Sequence, residues 1–196
     1  MKSGTLKIVL VIAAIGLIVL FMVMPRQPKS VVEAQAQAAP MTDAQKELMA
    51  AVQSVQSGQN PMEGIMRIRA LVEQDSTFEE AHLWLGAFSL QSGQIDKAVN
   101  RFETVKRLNP ANPEPYWQLG MMAVENEEYE TAISELRRSV TLDSTYVNGL
   151  FFMARCFEEL QQPDSALYYY EKYLPYAPDT VVTGRVNEFI ENLKKN

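Results

Sequence analysis

The side chains in this sequence that could do chemistry stand apart from one another. His82 is the only histidine and Cys156 the only cysteine. A general base or a nucleophile needs a partner within hydrogen-bond reach, and no motif in the chain supplies one. His82 therefore reads as a packed, hydrogen-bonded histidine. Cys156 lies in the apolar segment 151–157 and reads as a buried small hydrophobe. One cysteine also excludes an internal disulfide and any multi-cysteine metal site. Phosphate-cradling glycine loops, zinc-ligand clusters and nucleophile elbows are missing from the sequence. The expectation is a non-enzymatic protein with no cofactor and no metal.

The charged groups point the same way. Glu125, Glu127, Glu128 and Glu130 surround one turn and read as a solvated acidic edge. Lys106-Arg107 and Arg137-Arg138 read as solvated salt-bridge partners. A net charge of −6 gives nucleic-acid binding no electrostatic support. With 47% hydrophobic and 21% charged residues, the composition is that of a folded domain.

These side chains are positioned by a repeat. Ala98, Ala132 and Ala166 recur every 34 residues, as do Gly86 and Gly120, and Pro110, Ser144 and Pro178. Carried backwards, the frame gives four units at 45–78, 79–112, 113–146 and 147–180, with no insertion or deletion. A fixed period of this length predicts stacked helix pairs. Each unit reads as helix A, a tight turn and helix B. Small residues at Gly86 and Gly120 let helix B approach helix A; Ala98, Ala132 and Ala166 do the same from helix B, with Gly64 in the first unit. Ile68, Phe102, Leu136 and Tyr170 fill the large core position four residues later, on the same buried stripe. Pro61 and Pro163 open helix B in their units. Gly58 and Gly93 lie in the turn before it, and Asp75 and Asp143 can cap or turn the chain after it.

On these residues the chain resembles the tetratricopeptide repeat family. The second unit matches best, through Leu85, Gly86, Ala98, Phe102 and Pro110; the third keeps Tyr116, Leu119, Gly120, Ala132 and Leu136 but has Ser144 for the proline. The first is the most degenerate. The resemblance covers about residues 45–180 and implies an all-α superhelix of four helix-turn-helix repeats. After it, 181–196 reads as an amphipathic helix, with Val182, Val186, Phe189, Ile190 and Leu193 on its apolar side. An open stack exposes its last hairpin, so this helix is expected to cap it; docking a partner is the alternative.

The resemblance also implies that A helices line the inner wall of a curve. The family frame then places Leu83, Trp84 and Ala87 there, with Trp117, Gln118, Met121 and Glu125 from the third unit and Phe151, Phe152, Arg155 and Glu159 from the fourth. Trp117 with Met121 is the preferred binding pair, and Arg155 the groove cation. The competing reading is that these side chains pack between helices, since an error of one residue in phase converts groove to core. Some family members clamp a partner's terminal carboxylates with lysine, asparagine and arginine. Here Met49, Gln53, Ala87 and Glu114 stand in those places, which argues against that ligand.

The N-terminus belongs to another environment. Residues 1–7 carry Lys2 and Lys7, and 8–24 is an unbroken apolar run reaching about 26 Å as a helix. An uncleaved single-pass transmembrane helix is favoured over a signal peptide, because the run exceeds the usual signal core and the small-residue sites near Ala34 and Ala36 come too late. Residues 25–44, rich in alanine and glutamine with early prolines, read as a tether. Two lysines before the run face Arg26 and Lys29 after it, and the terminal amine tips the balance towards an N-terminus inside. The overall expectation is a membrane-tethered interaction scaffold that holds a peptide or helix of another protein, on the periplasmic side of a bacterial inner membrane. The alternatives are an assembly factor escorting an unfolded client, as in cytochrome c maturation, and a structural subunit that self-associates. The sequence leaves the oligomeric state open.

Overall fold

The order of small, large and turn residues within each 34-residue unit produces a run of antiparallel helix pairs. A computed structural model describes residues 40–195. The expected membrane span at 8–24 and the tether up to residue 39 lie outside the described residues. Among those described, every regular element is helical and no helix is long and apolar enough to cross a membrane. The A helices are α1 (Asp43–Gln56), α3 (Glu79–Gln91), α5 (Pro113–Glu125) and α7 (Asn148–Glu159). Their B partners are α2 (Pro61–Gln74), α4 (Ile95–Leu108), α6 (Tyr129–Leu142) and α8 (Pro163–Tyr173). Short 3-10 turns at Ser144–Tyr146 and Leu174–Tyr176 follow α6 and α8, and α9 (Thr180–Lys195) ends the stack.

Each hairpin closes through the same contact. Ala98, Ala132 and Ala166 are fully buried, as are Ile68, Leu136 and Tyr170. Burying one such large side chain contributes about 1.5–3 kcal/mol. A Cβ on Gly86 would fall 2.7 Å from the Phe102 ring. One on Gly64 would fall 2.6 Å from the Ala51 carbonyl oxygen and 2.5 Å from Val55 Cγ2. A backbone oxygen cannot rotate away, so the α1–α2 approach depends on Gly64 lacking a side chain.

The A-to-B turns share a geometry that the sequence only half announces. In the second unit Gly93 has φ +72°. Its amide donates to Leu90 O and the next amide, Gln94 N, to Ser89 O, the paired bonds of a left-handed helix end. The third and fourth units make the same pair, Glu127 N to Val124 O with Glu128 N to Ala123 O, and Gln161 N to Glu158 O with Gln162 N to Phe157 O. Glu127 and Gln161 thus occupy positive φ, 61° and 55°, where a side chain is strained. Pro61, Pro113 and Pro163 open α2, α5 and α8, where no amide donor is required.

Between units, position four of helix A ties back to the preceding loop. The Tyr116 hydroxyl donates to Pro110 O at 3.1 Å, and the His82 ring reaches Ser76 O at 3.0 Å, each six residues back. At the C-terminal end, Asp179 Oδ1 caps α9 by accepting from Val181 N and Val182 N. Val186 and Ile190 are buried beside Tyr170 and Tyr173, and the Phe189 ring stacks on Tyr170 at 5.5 Å. The apolar stripe of α9 lies on the last hairpin.

Two substitutions should move stability in opposite directions. Glu127→Gly relieves a left-handed side chain and is expected to raise the thermal midpoint by a few degrees, equivalent to about 1 kcal/mol. Gly64→Ala forces a methyl against backbone and should cost about 1–3 kcal/mol. Thermal melts followed by circular dichroism check both.

Candidate functional site: the A-helix wall

Positions two, five, nine and thirteen of each 34-residue unit recur at intervals of three and four along helix A, which puts them on one face. In α5 these are Glu114, Trp117, Met121 and Glu125. Trp117 is half-buried and built into an aromatic ledge. Its ring lies 5.8 Å from Tyr146 and 5.9 Å from Phe152, so helices α5 and α7 share it. Gln118 Nε2 donates to Glu114 Oε1 at 2.7 Å, and the Tyr146 hydroxyl donates to Glu114 Oε2. Two neutral donors thus hold the carboxylate beside the indole without cancelling its charge. Tyr146 escaped the sequence reading because it sits in a 3-10 turn, where no helical period marks it. Asp143 Oδ1, accepting from Thr145 N at 2.8 Å, shapes that turn.

Met121 lies deeper than the frame implied. Only 8% of it is exposed, and it packs with Ala132, Leu136 and Met153. It supports Trp117 from behind and offers a partner almost no surface. The remaining candidates divide between wall and core. Leu83 is half-buried against the cluster of Ala98, Phe102, Leu119 and Met122, whereas Trp84 packs on the cluster shared by the first two units, 5.6 Å from Phe88 of its own helix. Phe152 faces Trp117, while Phe151 is turned to Tyr173 at 5.5 Å, Tyr170 at 5.8 Å and Phe189 at 6.4 Å. Phe151 therefore belongs to the seam beneath α9. Met49, at the place of Leu83 and Trp117 in the first unit, is 57% exposed.

Arg155 is committed within its own hairpin. Its guanidinium pairs with Glu158 at 2.8 Å and Glu159 at 3.7 Å, and lies 5.3 Å from the centre of the Phe189 ring. The buried Tyr170 hydroxyl also donates to Glu158. As a groove cation, Arg155 is already neutralised. Cys156 is 1% exposed, and burial pushes its thiol up to about 12, so it carries no thiolate at physiological pH.

His82 is engaged at both ring nitrogens. Arg101 Nη1 lies 3.2 Å from Nδ1 and can only donate, so Nδ1 accepts and the ring proton sits on Nε2, donating to Ser76 O. Burial, with the Arg101 charge behind it, lowers the imidazole below its ordinary value. The unfolded chain then binds a proton that the folded one refuses. Stability from neutral His82 is complete above about pH 6.5 and falls as the pH drops below it towards the folded pKa. Tyrosine holds the equivalent place in the third unit, so His82→Tyr should keep the bond to Ser76 and flatten the melting temperature between about pH 7 and 5. Melts across that range test it.

The outer side of the stack differs in character. Lys106 bridges Glu103 at 3.1 Å and Glu135 at 2.8 Å, joining α4 to α6. A shallow depression of about 410 Å³ there is lined by Tyr116, Ser134, Glu135, Arg137, Arg138 and Thr141. Arg138 and Lys106 both lie over the Tyr116 ring. This side is polar and laced by ion pairs.

Residues 113–146 match the tetratricopeptide repeat family. No curated protein matches the chain. Several solved structures share its fold. A crystal structure of MamA protein superimposes with a TM-score of 0.64 at 19% identity, covering 79% of this chain and 88% of that one. The MamA of AMB-1 gives 0.64 at 18%, covering 78% and 81%, and a double mutant of MamA from RS-1 gives 0.62 at 14%, covering 80% and 97%. At these identities the likeness is one of fold. The chain carries a tetratricopeptide repeat at 113–146 and folds, over its described residues, as an all-helical superhelix of that type.

Proposed function

We propose that this protein is a non-enzymatic interaction module, tethered to a membrane through 8–24, that holds a peptide or helix of another protein along its A-helix wall. One observation carries the reading. An indole, Trp117, is half-buried on that wall and braced by Tyr146, Phe152 and the buried Met121 behind it. A braced aromatic loses little side-chain entropy when a partner covers it, the property of a binding hot spot. The fold supports the reading because a helical stack presents extended surfaces rather than an enclosed pocket. The apolar composition of 8–24 supports the tether, and the Ala/Gln-rich stretch after it supports a domain held at a distance from the bilayer.

Met121 is core, so the informative change is Trp117→Ala alone. It should reduce partner affinity about 30-fold, the loss of a hot spot of about 2 kcal/mol, in a chain that melts cooperatively. A photoreactive residue at position 117 should crosslink a partner in native membranes, while the same residue at Asn100, exposed on α4, should not. Equal crosslinking from both positions would rule the wall out.

A further inference from the structure

Charge is unevenly divided between the two kinds of helix. The four A helices hold eight carboxylates against Lys46 and Arg155, a net charge of −6. The four B helices hold eight carboxylates against nine cations, a net of +1. Some of the A-helix acids are spent locally. Arg67 grips Glu47 with two bonds of 2.6 and 2.9 Å, and Glu79 accepts from the Asn109 and Asn112 amides. Others are not. Glu114 is held by neutral donors only, and Glu80 and Glu125 are exposed.

These acids occupy two rows. Glu80 and Glu114 share position two of successive 34-residue units, and Glu125 and Glu159, the latter paired with Arg155 at 3.7 Å, share position thirteen. Eleven residues of helix separate the rows by about 16 Å. Leu83 and Trp117 lie in the strip between them. An apolar strip bordered by Glu80 beside Leu83 and by Glu114 and Glu125 on either side of Trp117, with Arg155 already neutralised by Glu158 and Glu159, is complementary to one class of ligand. Resting on the wall as the binding surface, we infer that the partner segment is a cationic amphipathic helix, its apolar face against Leu83 and Trp117 and its lysines or arginines towards Glu80, Glu114 and Glu125.

The test uses the full chain carrying Trp84→Phe, so that Trp117 is the only tryptophan. The probes are three tryptophan-free amphipathic peptides with one leucine face and a polar face of lysine, glutamine or glutamate. The lysine peptide should shift Trp117 fluorescence at about ten-fold lower concentration than the glutamine peptide, and the glutamate peptide should be weakest. Salt that shortens the Debye length to about 3 Å should erase the difference. Glu80→Gln with Glu125→Gln should weaken the lysine peptide about five-fold and leave the glutamine peptide unchanged. Equal shifts from all three peptides would overturn the cationic partner while leaving the wall as a binding surface. No shift from any would overturn the wall itself, and lysine binding indifferent to the two glutamate changes would overturn the acid rows as its cause.

Discussion

Everything in this fold depends on two helices being able to approach within a small side chain of each other. Gly86 under Phe102, Gly120 under Leu136 and Ala154 beside Tyr170 repeat one contact in successive hairpins. Dense packing makes the contact all or nothing, because a void or an extra methyl at the crossing is not absorbed by neighbours. Repeating it at a constant 34-residue interval gives each hairpin the same relation to the next. The stack then behaves as a chain of nearest-neighbour interfaces rather than one central core. Four separate clusters of buried residues follow one another along it.

Once the hairpins are closed, the same geometry divides the remaining side chains between two surfaces. B helices, ion-paired through Lys106 and Glu135, solvate the outside. A helices keep an apolar row that packing only half consumes, since Trp117 must serve α5 and α7 and still faces outwards on one side. The C-terminal end is closed by α9, which takes Phe151 out of that row and into the seam around Phe189. The row therefore runs from Met49 past Leu83 to Trp117, and its acidic borders follow from which residues occupy positions two and thirteen.

Much of this was legible in the residues alone. Periodicity of small and large side chains is local information, so the hairpins, the buried alanines, the first-turn prolines of α2 and α8 and the apolar stripe of α9 could all be read before any coordinates. The left-handed turn was legible where glycine marks it, at Gly93. It was not legible at Glu127 and Gln161, which adopt the same backbone at a cost that the rest of the hairpin offsets.

By itself the sequence determined the repeat and the number of hairpins, because each depends on residue type and spacing along one chain. Tertiary structure alone decided how deep each wall residue lies. Trp117 and Met121 share a helix face four residues apart, yet one is half-buried and the other is core, because Met153 and Leu136 close over the second. Arg155 and Tyr146 acquired their places from Phe189 and from Glu114, the latter 32 residues away in the chain. Helical period assigns a face, but coverage at the edge of that face is set by neighbours that only folding brings near.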